Sequence, residues 1–318
     1  MRLAYRPIIL FKKFLIYKEG TKMKLEKPIF TGAATAIITP FKNGEVDYES
    51  YAKLIDMQLA GGIDAIVTCG TTGEGSTLTD EEHKAVIKFT VDYVAGRVPV
   101  IAGTGSNETA YANDLSKYAC EVGADALLLV TPYYNKATQK GLIAHFTATA
   151  DICDKPIILY NVPSRTGCNL LPETVAKLAE HPRIVAIKEA SGNISQIAEL
   201  AAAAGDKIDI YSGNDDQIVP VLSLGGIGVI SVLSNLMPRE TSDMCKKYLA
   251  GDHKGALKLQ LDLLPLVNNL FSEVNPIPVK AAMSAMGYGE NSLRLPLTPM
   301  DEAKEAVLLG IMKGHGLI

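Results

Sequence analysis

Lys188 is the residue whose setting most invites chemistry. It stands in the run Ile184-Val185-Ala186-Ile187-Lys188-Glu189-Ala190, which reads as a short apolar strand. Ile184, Ala186 and Lys188 share one parity, so a regular strand puts them on one face. An unpaired ammonium is costly to bury, so an enclosed face favours the neutral amine. A neutral amine adds to a ketone to give a carbinolamine, the first step of Schiff-base catalysis. The plainer alternative is a lysine at a strand end that reaches solvent or pairs with Glu189. Lys280 is a rival amine, but it follows a proline-rich turn in a helical stretch.

Other residue types complete a possible site. Tyr160 follows Ile158 on one strand face, and a phenol within reach moves the protons of imine and enamine formation. A packed tyrosine with a satisfied hydroxyl is the ordinary alternative. Gly70-Thr71-Thr72-Gly73 is a turn of small residues after a strand, where amides and two hydroxyls can hold a carboxylate. A plain tight turn explains it equally well. Arg165 follows a strand and a Pro-Ser turn, placed to clamp a second carboxylate bidentately or to make a surface ion pair.

These side chains need a frame. From Gly32 onward a β-branched run, a Gly, Thr or Asn loop and an amphipathic helix recur. The strands read as 32–40, 65–70, 98–103, 126–133, 156–162, 184–190, 208–212 and 228–233. Thr79-Asp80-Glu81-Glu82 is a capping box, Asp47 caps the helix before it, and Pro172 suits a first helical position. Eight strands with seven intervening helices predict a parallel sheet that closes into a (β/α)8 TIM barrel. Four more helical stretches follow Pro238; one must be the barrel's eighth helix and the others an appended bundle. In such barrels the site lies at the carboxyl ends of the strands, where Lys188, Tyr160, Thr71 and Arg165 all fall. A doubly wound open sheet is the other architecture, disfavoured because no G-x-G-x-x-G follows the first strand.

The division is 1–22 as a leader, 23–250 as the barrel and 251–318 as a helical bundle packed on it. The leader holds six Lys and Arg residues against Glu19, and Lys12-Lys13 splits its apolar stretches. It reads as a non-native extension or an upstream start, with Met23 as the natural beginning, rather than a signal peptide. An organelle transit peptide is the weaker alternative. The whole chain has 318 residues, 47% hydrophobic and 21% charged, with net charge −4. That composition suits one large globular domain and argues against nucleic acid as a partner. Five cysteines without a Cys-x-x-Cys spacing argue against a disulfide framework or zinc site and fit a reducing cytoplasm. No apolar run is long enough for a bilayer.

Taken together, the strings GTTGE at 70–74, TPYYN at 131–135, YNVPSRTG at 160–167, IKEASG at 187–192, GVIS at 228–231 and NPIPVK at 275–280 are specific. In order and spacing they closely resemble the 4-hydroxy-tetrahydrodipicolinate synthase family, formerly dihydrodipicolinate synthase, of the N-acetylneuraminate lyase-like pyruvate aldolases. The resemblance runs from about residue 25 to the end. It implies condensation of pyruvate with L-aspartate 4-semialdehyde, the first committed step of lysine and diaminopimelate biosynthesis. Lys188 would form the imine, and Tyr160, Thr71 and Tyr134 would relay protons, Tyr134 coming from a neighbouring subunit. Thr72 would hold the pyruvate carboxylate and Arg165 that of the semialdehyde. Gly213 and Ile230 match positions whose backbone lines the pocket. The resemblance implies a homo-oligomer and no metal or organic cofactor.

Sister aldolases acting on N-acetylneuraminate or 2-keto-3-deoxy sugar acids share the lysine and tyrosine; Arg165 and the Tyr133-Tyr134 pair favour the synthase. A non-catalytic binding barrel would have lost Lys188 or Tyr160, and neither is lost. A PLP or flavin barrel rests only on Gly225-Gly226. Lysine-sensitive relatives meet lysine in an interface cleft with a histidine and a glutamate. Here His83 and Asn107 match that cleft, but Tyr111 stands for the glutamate and Asp80 for a further histidine. The resemblance therefore implies weak or no inhibition by lysine.

Overall fold

The computed structural model describes residues 17–18, 21–22 and 24–318. Most of the expected leader thus lies outside the described residues; Tyr17–Lys18 and Thr21–Lys22 form a short antiparallel ladder. Eight strands follow: β1 Gly32–Ala36, β2 Ala65–Thr68, β3 Val100–Gly103, β4 Ala126–Val130, β5 Ile157–Asn161, β6 Ile184–Glu189, β7 Asp209–Ser212 and β8 Gly228–Ser231. Each is parallel to its neighbours, and β8 pairs with β1, so the sheet closes as the sequence predicts.

Two apolar layers follow from the alternation of side chains. Ala34, Val67, Ile101, Leu128, Ile158 and Ile230 fill the barrel interior. Ile66, Leu127, Leu159, Ile187 and Val229 face outward into the helical shell. At the amino-terminal end Phe30 stacks on Tyr211 at 4.2 Å, and the tyrosine hydroxyl donates to the Phe30 carbonyl at 2.8 Å.

The shell consists of α1 Tyr48–Ala60, α2 Asp80–Val94, α3 Thr109–Glu121, α4 Gln139–Ile152, α5 Pro172–Leu178, α6 Ile194–Ala204, α7 Ile218–Ser223 and α8 Pro238–Leu249. Their starts are written in the sequence. The Asp47 carboxylate accepts the Ser50 amide, and Thr79 and Glu82 form the expected reciprocal box. Helix α8 packs on β1 and β8 and is the eighth barrel helix. The tail adds α9 His253–Leu270, α10 Ile277–Ala285 and α11 Glu302–Gly314. No helix among the described residues is long and apolar enough to cross a membrane.

Two differences from the sequence reading have physical causes. Strand β8 stops at Ser231 rather than Leu233, because the Val232 and Leu233 amides both donate to the Asp215 carboxylate at 3.0 Å. In β6 the parity expected from Ile184 fails. The register against β5 runs Ile184 to Ile157 and then Ala186 to Ile158, so Val185 is an extra residue. This bulge leaves Ile184 with Ile187 in the outer layer, while Ala186 joins the interior.

Candidate active site

Above the bulge, Lys188 is the register partner of Tyr160 on one side and of Tyr211 on the other. It faces the barrel interior and is only 5% exposed. Its Nζ sits 4.4 Å from the centre of the Tyr160 ring. The Glu189 carboxylate is taken by the Asn161 amide group and the Ser191 N–H, which disposes of a Lys188–Glu189 pair. The amine therefore stands beside a phenol.

Lys280, the rival amine, is committed elsewhere. It is 1% exposed, its Nζ donates to Glu74 Oε1 at 2.5 Å, and it lies 4.1 Å from the Phe41 ring centre. Burial draws its pKa below the ordinary value despite the charge of Glu74. The pair ties helix α10 to the turn after β2.

That turn carries Thr71 and Thr72 and is tightly built. Cys69 and Glu74, which bracket it, hold left-handed backbone at φ 54° and 51°. Gly103 is required beside it, because a Cβ there would lie 2.5 Å from the Cys69 carbonyl oxygen. The Thr39 hydroxyl donates to Gly73 O at 2.7 Å and the Arg294 amide to Glu74 Oε2 at 3.1 Å. Thr72 is buried and its hydroxyl accepts from Asn275 Nδ2 at 3.0 Å; Thr71 is half-buried at the mouth.

Arg165 lies on the single helical turn Pro163–Thr166 after β5. It is exposed, and its Nη2 donates to the Asn275 carbonyl at 3.1 Å. Asn275 thus touches both expected carboxylate-binding groups, and its own Oδ1 is buried without a partner. Asn275 opens the string NPIPVK, where sequence alone assigns it no role. Its only local signal was a polar side chain among prolines.

A cavity of about 360 Å³ opens at this end of the barrel. Thr71, Tyr133, Tyr160 and Arg165 line it, and it extends to His83 and Tyr111. Lys188 is not on its wall but lies against the Tyr160 ring that is. Gly213 follows β7, and a Cβ there would meet the Ala190 Cβ at 2.6 Å, so the backbone beyond β6 and β7 approaches this closely only with glycine. Ile230 is fully buried inside the barrel. Thr72, Gly213 and Ile230, like Lys188, are not on the cavity wall, and Tyr134 stands apart by its exposure. It is 89% exposed at φ 74° and does not line its own chain's cavity. Among the described residues no three His, Cys, Asp or Glu side chains gather as metal ligands would.

Comparison with known proteins gives this geometry a lineage. The family model for the dihydrodipicolinate synthetase family matches residues 29–314. The 4-hydroxy-tetrahydrodipicolinate synthase of Lachnoclostridium phytofermentans is 62% identical over 292 residues, covering 91% of this chain and 99% of the relative. The solved dihydrodipicolinate synthase from Aquifex aeolicus superposes with a TM-score of 0.89 at 47% identity, over 91% of this chain and 99% of that one. The structure from Cyanidioschyzon merolae, solved with lysine bound, gives 0.89 at 42% identity over 92% and 100%. With the barrel fold and these matches in agreement over nearly the whole length, the chain belongs to the dihydrodipicolinate synthetase family.

Proposed function

We propose that this chain is a carbon–oxygen lyase of the class I aldolase type that condenses pyruvate with L-aspartate 4-semialdehyde to 4-hydroxy-tetrahydrodipicolinate. The observation that carries the reading is a buried Lys188 placed against Tyr160 at the mouth of a family member's barrel. The Lys188 amine adds to the pyruvate ketone, water leaves, and the imine loses a methyl proton to become an enamine. The enamine carbon attacks the aldehyde. The substrate's own amine then closes the ring on the imine carbon and releases Lys188. Tyr160, Thr71 and Tyr134 carry protons through these steps. Thr72 holds the pyruvate carboxylate, Arg165 binds the second carboxylate, and the backbone of Gly213 and Ile230 completes the pocket. The test is substrate consumption by the purified protein. Turnover that needs both pyruvate and aspartate semialdehyde is expected; cleavage of N-acetylneuraminate or a 2-keto-3-deoxy sugar acid in preference would select the sister aldolases instead.

An exposed Tyr134 supports a shared site, in which a second copy of the chain brings this phenol to its neighbour's pocket. An isologous dimer is the commonest way to do so. Mixing Tyr134→Phe and Lys188→Ala chains, each inactive alone, should restore activity, because one site in the heterodimer regains both groups. A monomer with full activity at assay dilution would refute the shared relay.

Free lysine should inhibit weakly or not at all. Burial and the charge of Asp80 push the Tyr111 phenol above its ordinary pKa, so it offers no anion. The Asp80 charge is already met by Lys84 at 2.9 Å, so it substitutes poorly for the missing glutamate. Burial lowers the pKa of His83, which favours a neutral ring, 2.8 Å from the Gly103 carbonyl. Loss of one charge-assisted hydrogen bond costs roughly 1.5–3 kcal/mol. Initial rates across a lysine titration check this: half-inhibition should lie above about a millimolar, equivalent to roughly −4 kcal/mol.

A further inference from the structure

Glu189 is a buried acid that the proposed chemistry does not use. It is 1% exposed, and the two groups that meet its carboxylate are neutral. Asn161 Nδ2 donates to Oε2 at 3.0 Å, and the Ser191 amide donates to Oε1 at 2.6 Å. Burial pushes its pKa up. An apolar pair of the same volume would be a cheaper way to fill this space, so the hydrogen bond itself invites an explanation.

Its place in the sheet supplies one. Glu189 and Asn161 are register partners, one step beyond the partners Lys188 and Tyr160. Side chains alternate along a strand, so Asn161 and Glu189 lie on the outer face while Lys188 and Tyr160 share the inner one. Four residues before Glu189 is the Val185 bulge. A bulge is a one-residue offset, and its location decides which residues above it point inward. Were the extra residue to move past position 188, Tyr160 would face Ile187 and Lys188 would take the outward place of Glu189. An apolar pair would hold the register through burial alone; a donor opposite an acceptor adds a directional bond that the slip breaks.

We propose that Asn161 and Glu189 form a register lock, and are positioning residues that keep Lys188 inward and opposite Tyr160. This rests on the reading of Lys188 as the Schiff-base amine. The lock is itself anchored. The Leu170 amide donates to Asn161 Oδ1 at 2.9 Å, and Asn161 Nδ2 also reaches Asn169 Oδ1 at 3.0 Å. Asn169 and Gln196 of α6 then exchange hydrogen bonds at 2.7 and 3.1 Å. Beyond it, the Ala190 and Gly213 amides donate to the Asn161 and Glu189 carbonyls at 2.9 and 2.7 Å. The outer helical layer is thereby connected to the orientation of an inner amine.

The test exchanges donor and acceptor. In Glu189→Gln one of the two facing donors meets an NH2 group, whichever way the amide turns. In Asn161→Asp/Glu189→Gln the pair is restored with reversed polarity, and the amides of Asn169 and Gln196 can turn to match. The rate of the borohydride-trapped pyruvate adduct at Lys188, kcat, KM for pyruvate and Tm are measured for the native chain and both variants. We expect Glu189→Gln to slow adduct formation and kcat by on the order of tenfold to a hundredfold, as small misplacements do, with KM little changed. The double variant should recover most of that loss. A Glu189→Gln enzyme that loses Tm but keeps its adduct rate, or a double variant as slow as the single, overturns the lock. Absence of a Lys188 adduct in the native chain overturns instead the functional reading beneath it.

Discussion

Borohydride added with pyruvate should fix a reduced three-carbon adduct on Lys188, and Lys188→Ala should abolish both the adduct and turnover. The expectation follows from placement. Lys188 is held inside the barrel mouth beside the Tyr160 ring, with the neighbouring carboxylate engaged by other donors. Without the amine there is no covalent path, so the loss should approach the whole enzymatic acceleration, at least about a million-fold in most enzymes. Lys280 supplies the control. Lys280→Met leaves Glu74 buried without its cation, a defect costing about 3–5 kcal/mol of stability, yet the adduct should still map to Lys188. Peptide mass mapping decides; an adduct on Lys280, or none, would sink the mechanism.

Arg165→Ala should separate the two half-reactions. The guanidinium lies at the exposed rim, one helical turn beyond β5, with a hydrogen bond to the Asn275 carbonyl. Pyruvate needs none of this to reach Lys188, so adduct formation should proceed almost as before. On the proposed function the aldehyde substrate brings a second carboxylate to Arg165, and losing that charge-assisted hydrogen bond should cost about 1.5–3 kcal/mol. That is roughly tenfold to 150-fold in kcat/KM for aspartate semialdehyde. Single-turnover adduct rates beside steady-state rates check the split. Equal damage to both would mean that Arg165 serves the fold.

Much of this was legible in the sequence because the signals are local. The capping box at Thr79 and Glu82, the Asp47 cap and the alternation of short strands with helices need only nearby residues. The candidate amine was also legible, since a lysine in an apolar strand carries its own question. The Val185 bulge was not. Parity counted from Ile184 gave the right face for Lys188, although the structure places Ile184 on the other side. Nothing in the run 184–190 marks where an extra residue will sit, because the register is set by hydrogen bonds with β5. Strand ends are hidden from sequence for the same reason, as at β8, where Asp215 captures two amides 17 and 18 positions further on. The partnership of Asn275 with Thr72 spans 203 positions, and that of Lys280 with Glu74 spans 206. Such pairs depend on the closed fold.

Those long-range pairs change what counts as a portable part. Eight strands and eight helices are in place by Leu249, and a barrel cut there would look architecturally whole. Yet the groups that steady its mouth, Asn275, Lys280 and Arg294, come from the segment beyond. The tail is better regarded as the second jaw of a clamp than as an accessory. In chimeras between family members, Glu74 and Lys280 would therefore have to travel together, as would Thr72 and Asn275, however the seam is drawn.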